Sequence, residues 1–466
     1  MIGYILCNTY ALRTFMFKKI EIWILYLVLI LGIPVTIGFG SVVRHEILGG
    51  TKLGRISKTA LFFAEIPENI KKIFFNKNAN EVLDRSPLLD SFNGTPNTSE
   101  SYLLLSRYDG DLKEGIVELV DLTNFKVLHT WNPDINAFNQ LISKIDEFKY
   151  MDRDGNNSRQ LLINPKLIRD GGLIINTKML RKINACSNLI FQKNNDILHH
   201  SIETDIEGNI WVPSTIYPQI LKLKVGNELN ADGGYADDGI VKLSPNGEIL
   251  YEKSVSQIFI DNGLEYLLFS VGDSNFTLDP IHLNDIQPVN YNGEFWQKGD
   301  VFLSLRHQSM VILYRPLTNE IIWKGTGPFF HQHDVDILNG HTISVFNNNS
   351  KDFSVGDVVD GHNEVIIYDF KTNEYSSYLS DSLKNNEVRT ITDGRSQILP
   401  NGDLFVEETN YGRTFYFNSD GSLRWIHVNR ANNGNVYNIG WSRILYKDED
   451  VKLVNNFLKS KGKCND

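Results

Sequence analysis

The feature that most limits what this chain can become is a recurring strand-turn-strand unit. GIVKLSPNGEILYEKS from Gly239, VILYRPLTNEIIWKG from Val311, EVIIYDFKTNEYSSYL from Glu364 and RTFYFNSDGSLRWIHV from Arg413 each read as a strand, a polar turn and a second strand. A second hairpin type recurs alongside them: ETDIEGNIWVPS, DVDILNGHTISVF from Asp334 and SQILPNGDLFVEE from Ser396. In DVDILNGHTISVF, apolar residues alternate at period two on either side of Asn339-Gly340, a pair that supplies the positive φ angles of a tight turn. Two hairpins per unit, recurring at roughly 50 to 70 residues, is the signature of four-stranded propeller blades. Less regular units precede these: YLLLS from Tyr102, GIVELVDL from Gly115 and a strand ending at Trp131, then Leu173–Asn176 with Leu189–Gln192. The count comes to about six blades, and GWSRILY from Gly440 reads as one extra strand that would complete the first blade and close the ring. Closure removes exposed sheet edges, a standing hazard for a long all-β chain. The expected fold is all-β, a six-bladed β-propeller carrying an N-terminal transmembrane helix.

That helix is read from Ile22 to Val43, IWILYLVLILGIPVTIGFGSVV, a run without a charge. About 22 helical residues span roughly 33 Å, enough for a bilayer core. Arg13, Lys18 and Lys19 precede it and put the N-terminus in the cytoplasm, although Arg44, Lys52, Arg55 and Lys58 follow it and weaken the asymmetry. Gly38 and Gly40 before Ser41 resemble a signal-peptidase site, but the run exceeds a usual signal core, which favours an uncleaved anchor. Met16, followed by Phe-Lys-Lys, would also serve as a start. The expected organisation is a cytoplasmic segment at 1–21, an anchor or uncleaved signal at 22–43, a connecting region at 44–100, the propeller at 101–450 and a tail at 451–466. Within the connecting region, Ile66–Phe75 reads as a short amphipathic helix and Ser91–Ser101 as a loop.

A formal net charge of -10 with no local basic patch argues against a nucleic-acid partner. Cys7, Cys186 and Cys464 are widely separated and suggest neither a zinc site nor a disulfide framework. No phosphate-binding G-x-x-x-x-G-K-[ST] loop and no G-x-S-x-G nucleophile elbow occurs. The acidic stretch Ala231–Asp238 reads as a solvated turn rather than a calcium loop.

The histidines carry the chemistry. Of the 11 in the chain, six fall in four places: His199-His200, His282 in DPIHLND, His307 in LRHQS, and His331 with His333 in HQHD. Innermost strands of a propeller converge on a central channel, so these distant positions can share one pocket. Phe329 and Phe330 beside the last pair read as core aromatics more readily than as ring-flanking residues.

The combination HHSIETDIEGNIW, DPIHLNDIQ, SLRHQSMVILYRP, HQHDVDIL and SQILPNGDLFVEETNYGRTFYFNSDGSLRW resembles the arylsulfate sulfotransferases, six-bladed propellers of the bacterial cell envelope, over roughly residues 195–430. The resemblance implies transfer of a sulfuryl group from a phenolic sulfate to an acceptor phenol through a sulfohistidine, with no nucleotide donor and no cofactor. It implies His333 as the sulfated histidine, Arg306 as the holder of sulfuryl oxygens, and His282 and Asn284 as residues of the same pocket. His200, with His199 as the alternative, matches the family's histidine in the earlier blade. His331 and Gln308 are further candidate substrate-binding residues. Ser201 stands where relatives often have Asp, the cysteine pair of some members is absent, and an anchor replaces a cleaved signal.

The chemistry is sound on its own terms. A nucleophilic imidazole must be neutral, and a neighbouring guanidinium both lowers its pKa and stabilises the transferred oxygens. His282 or His200 suits the proton transfers to the leaving phenol and from the acceptor. The alternatives are a metal-binding propeller, since converging histidines are also good ligands, and a non-catalytic envelope scaffold or ligand-binding module. Small-molecule aryl sulfates and phenols, and the membrane through the N-terminal helix, are the expected partners, with the propeller on the periplasmic or extracytoplasmic side.

Overall fold

The computed structural model describes residues 21–47, 52–74 and 80–460, apart from 144–147, 149–150, 152–154, 194–196, 218, 221–223, 226–227, 230–234, 270–278 and 353–355. The chain divides into two units, Met1–Asn78 and Ala79–Asp466.

In the first unit a helix spans Ile22–Ile47 and a second spans Gly54–Phe74. The first is apolar over Ile22–His45, with mean hydropathy 2.4 and none of that window buried, so it is long and apolar enough to cross a membrane. The second helix starts twelve residues before the Ile66 expected from sequence. Pro67 lacks an N–H and reads as a helix start, yet it is accommodated inside the helix.

The second unit is a six-bladed propeller. Blade one joins Arg443–Leu445 to Tyr102–Asp109, Glu114–Asp121 and Lys126–Trp131, so the last strand of the chain closes the ring by pairing with the first blade. Blade two runs from Ile163–Leu167 to Leu189–Gln192, blade three from Ile197–Leu198 and Glu203–Thr204 to Ile249–Ser254, and blade four from Leu283–Pro288 to Glu320–Gly325. Blade five runs from His333–Ile337 to Glu374–Tyr378 and blade six from Arg395–Ile398 to Leu423–Val428. Middle strands such as Val301–Leu305 and Thr342–Asn347 are buried throughout, whereas outer strands such as Glu320–Gly325 alternate. Apolar side chains from facing blades form the core between them, as where Ile286, Leu303 and Ile312 of blade four pack with Trp211 and Ile240 of blade three.

Three segments differ from expectation. Ser91–Gly94 is a strand, not a loop, and adds to the outer edge of blade six with Phe92 opposite His427. Four edge residues are too few to show a period, and Gly94 has φ 126° with Arg424 O only 2.3 Å from where a Cβ would lie. Asp448–Ser460 is a helix that buries Val454 and Phe457 beside Trp131. Cys186 is disulfide-bonded, since pairing follows distance in the fold rather than spacing in sequence; Cys7 and Cys464 lie outside the described residues.

Carboxylates tie successive blades together. Asp238 of blade three accepts the Leu283 N–H at 2.7 Å, Asp285 of blade four accepts Val335 N–H at 2.7 Å, and Asp334 of blade five accepts Ser396 N–H at 2.8 Å. Glu407 of blade six accepts Trp441 N–H at 2.6 Å, linking back to the closing strand. A net hydrogen bond of this kind contributes about 0.5–1.5 kcal/mol, and more where the acceptor is ionised. Asp237 and Asp238, at the end of the acidic stretch, are therefore buried and bonded rather than solvated; Ala231–Gly234 lies outside the described residues. Ser201, at the position where relatives often carry Asp, accepts Ile286 N–H at 3.1 Å and ties blade three to blade four.

Candidate active site

Where the chain enters an innermost strand, each blade has a non-glycine residue in the left-handed region: Asn164, His200, His282, His331, Asp393 and Trp441, with φ between 49° and 61°. Such a conformation costs about 1–2 kcal/mol, sustained here by the ties just described. In blades four and five the strand also bulges, between Leu283 and Asp285 and between His333 and Val335. A bulge bends the strand and re-aims side chains. Together these devices bring His200, His282, His307, His331 and His333 to one region.

Ring centroids lie 5.1 Å apart for His200 and His282, 4.5 Å for His282 and His307, and 5.8 Å for His307 and His331. Trp441 bridges the cluster, 6.2 Å from His200 and 5.9 Å from His333. The site thus draws on blades three, four and five and on the closing segment of blade one.

His333 is 1% exposed, and its Nδ1 lies 2.6 Å from Asn348 Oδ1. The Asn348 amide nitrogen donates to the Thr390 and Asp393 carbonyls, so its oxygen must accept and His333 carries its proton on Nδ1. Nε2 then bears the lone pair. Burial and then the Arg306 charge push this imidazole well below the usual histidine range, partly opposed by the Asn348 bond. His200 is pushed the same way by burial and by its histidine neighbours, with His199 Nδ1 2.7 Å from its Nδ1. His199 in turn stands 3.5 Å from Asp238. Burial and Arg306 bring His331 down to about 4, against the pull of Asp357.

Arg306 donates from Nη2 to Asp357 at 3.0 Å and from Nη1 to His307 Nε2 at 2.6 Å. Its Nε is buried with no partner among the described residues, an open donor at the cluster. Because a guanidinium only donates, His307 carries its proton on Nδ1 and gives it to the Asp279 carbonyl, 2.6 Å away. Asp279, His282 and His307 bring three polar atoms within 4.8 Å of one another. Both nitrogens of His307 are already engaged, one by the Arg306 guanidinium and the other by the Asp279 carbonyl.

Asn284, fully buried in the bulge, donates to the Gln332 carbonyl at 2.8 Å and keeps Oδ1 unpartnered among the described residues. Gln308 is committed elsewhere: its amide donates to the carbonyls of Pro280 and Leu267 and secures the turn before His282. Phe329 is buried in the core between blades four and five, and Phe330 is half-exposed with Lys351 over its ring at 4.3 Å. Sequence reasoning assigned no role to Asp279, His307, Asn348, Asp357 or Trp441. Asp279 and His307 stand inside the motifs, but Asn348 follows a strand and Asp357 sits in a hairpin insertion, where no local pattern marks them.

A cluster of histidines around one arginine therefore sits where blades three, four and five meet the closing segment of the ring. The chain belongs to the arylsulfotransferase (ASST) family, whose sequence model matches residues 165–430, more than half of its length. No curated protein matches it. Among solved structures it is similar to a protein of unknown function from Bacteroides caccae, at 11% identity over 71% of this chain and 94% of that one, TM-score 0.41. It is also similar to the WD40 domain of Neurospora crassa Pan2, at 10% identity over 77% and 97%, TM-score 0.39. Virginiamycin B lyase from Staphylococcus aureus is similar at 8% identity over 60% and 72%, TM-score 0.32. Likeness at this level says nothing of activity.

Proposed function

We propose that this chain is an aryl-sulfate sulfotransferase that passes a sulfuryl group from a phenolic sulfate to an acceptor phenol by way of His333. The observation that carries this is the His333–Asn348 bond: it fixes the tautomer, and burial keeps the ring neutral, so Nε2 is a ready nucleophile at neutral pH. Arg306, with its open Nε, holds sulfuryl oxygens and stabilises charge as it redistributes. Asn284, His331 and His199 line the binding site. His200 or His282 handles the proton of the phenols. No nucleotide is needed because the donor ester already carries the activated group.

The apolar helix anchors the propeller on the extracytoplasmic side. The disulfide at Cys186 supports an oxidising compartment, where such bonds persist.

Initial rates with a chromogenic aryl sulfate and a phenol acceptor test the proposal. A sulfohistidine route gives parallel double-reciprocal lines as acceptor is varied. Intersecting lines would mean direct transfer between bound donor and acceptor.

A further inference from the structure

Two histidines beside His333 are open to the acid–base role, and their surroundings differ. The Nδ1 of His200 faces another imidazole, His199 Nδ1 at 2.7 Å, and it is His199, not His200, that stands beside a carboxylate, Asp238 at 3.5 Å. The Nδ1 of His282 lies 2.6 Å from Asp279 Oδ2, a carboxylate that can only accept. The Nε2 of His282 is therefore the atom left for a substrate. Asp279 divides its work: its carbonyl holds His307, and its carboxylate holds His282. The latter bond and the nearby histidine charges keep the carboxyl below its ordinary range despite burial.

We propose that Asp279 is the positioning residue that makes His282, rather than His200, the acid–base group. This rests on the sulfuryl-transfer reading of the site. In the first half-reaction the His333 Nε2 lone pair forms the S–N bond as the S–O bond to the aryl group breaks. The departing phenolate oxygen takes the proton from Nε2 of the His282 imidazolium, whose Nδ1–H stays on Asp279. In the second, the acceptor phenol returns a proton to His282 Nε2 as its oxygen attacks sulfur, and the S–N bond pair goes back to His333. Through both steps the Asp279 carboxylate keeps the Nδ1–H of His282 on itself and so keeps Nε2 turned to the substrate oxygen.

The test compares a donor that needs a proton to leave with one that does not. Full-length protein in detergent is assayed with phenyl sulfate and with 4-nitrophenyl sulfate, whose leaving phenolate is stable without protonation. Asp279→Asn keeps an acceptor for Nδ1 but removes the charge. It should lose roughly 10²-fold or more in kcat/KM with phenyl sulfate and less than about tenfold with the nitrophenyl ester. His282→Gln should show the same selective loss and serves if the first variant does not fold. His200→Gln should lower both donors by a similar factor. An active wild type with equal losses for both donors in Asp279→Asn and His282→Gln overturns this assignment alone. A wild type inert toward both donors overturns the transfer reading and the assignment with it.

Discussion

The innermost strands of blades three to five carry two clusters of ionisable groups, and the clusters behave oppositely. At the entries stand His200, His282 and His333; three positions further along the same strands stand Glu203, Asp285 and Asp336. The histidines are held by single side chains from outside their own strands or by each other, with donors such as Arg306 Nε left open. The deeper acids are answered by Arg395, Arg443 and Lys166 and by backbone N–H groups of the next blade. Burial pushes Asp285, Asp334 and Asp336 up to about 7, while the opposite charges of Arg443 and Lys166 overcome burial and hold Glu203 at about 2. One strand thus carries the side chains of the proposed chemistry at its entry and blade-to-blade closure deeper in. Substitutions at the mouth should change turnover, and substitutions at the deeper cluster should change stability.

The largest separation is expected from His333→Asn, which removes the nucleophile while keeping a polar side chain at the position. Turnover of an aryl sulfate should fall roughly 10⁴-fold or more with the thermal unfolding midpoint little changed. Retained turnover would move the chemistry elsewhere in the cluster. Next comes Asn348→Ala, which frees the His333 ring; kcat should fall about 10²-fold. An unaltered kcat would show that the amide only fills space.

The deeper cluster should give the mirror image. Arg395, 2% exposed, pairs with Asp334 at 3.1 Å. Arg395→Met strands that carboxylate and should cost roughly 3–5 kcal/mol in denaturant unfolding while the folded fraction keeps its turnover. Loss of turnover without loss of stability would erase the distinction between the clusters.

The smallest effect is in pH dependence, where the signs differ. His200, His331 and His333 are depressed in the folded state, so the stability they contribute is full above about 6.5, the unfolded value, and lost as pH falls through their folded values. Asp285 is raised, so its contribution is full below about 3.9 and lost as pH rises through about 7. Asp285→Asn should therefore raise the unfolding midpoint at pH 8 relative to wild type and change it little at pH 4. The same shift at both pH values would contradict a buried, raised carboxyl.

The repeating hairpins made the propeller legible, down to GWSRILY closing the first blade, because period-two alternation and turn residues are local signals. The histidines were legible because motif and blade position coincide. What escaped was non-local or short. Asn348 matters only because its amide is turned by carbonyls more than forty residues on. Trp441 lies on the closing segment, far in sequence from every histidine of the site, and reaches His200 and His333 only when the ring shuts. The strand at Ser91–Gly94 borrows its order from blade six, and the helix read at Ile66–Phe75 begins a further twelve residues upstream, at Gly54, with Pro67 inside it.

The central claim is a covalent intermediate on His333. Full-length protein in detergent, incubated with a chromogenic aryl sulfate without acceptor and quenched at alkaline pH, should show a mass gain of about 80 Da on the peptide bearing His333, discharged when a phenol is added. Phenol release with no adduct on that peptide, or an adduct on another histidine, would contradict the account.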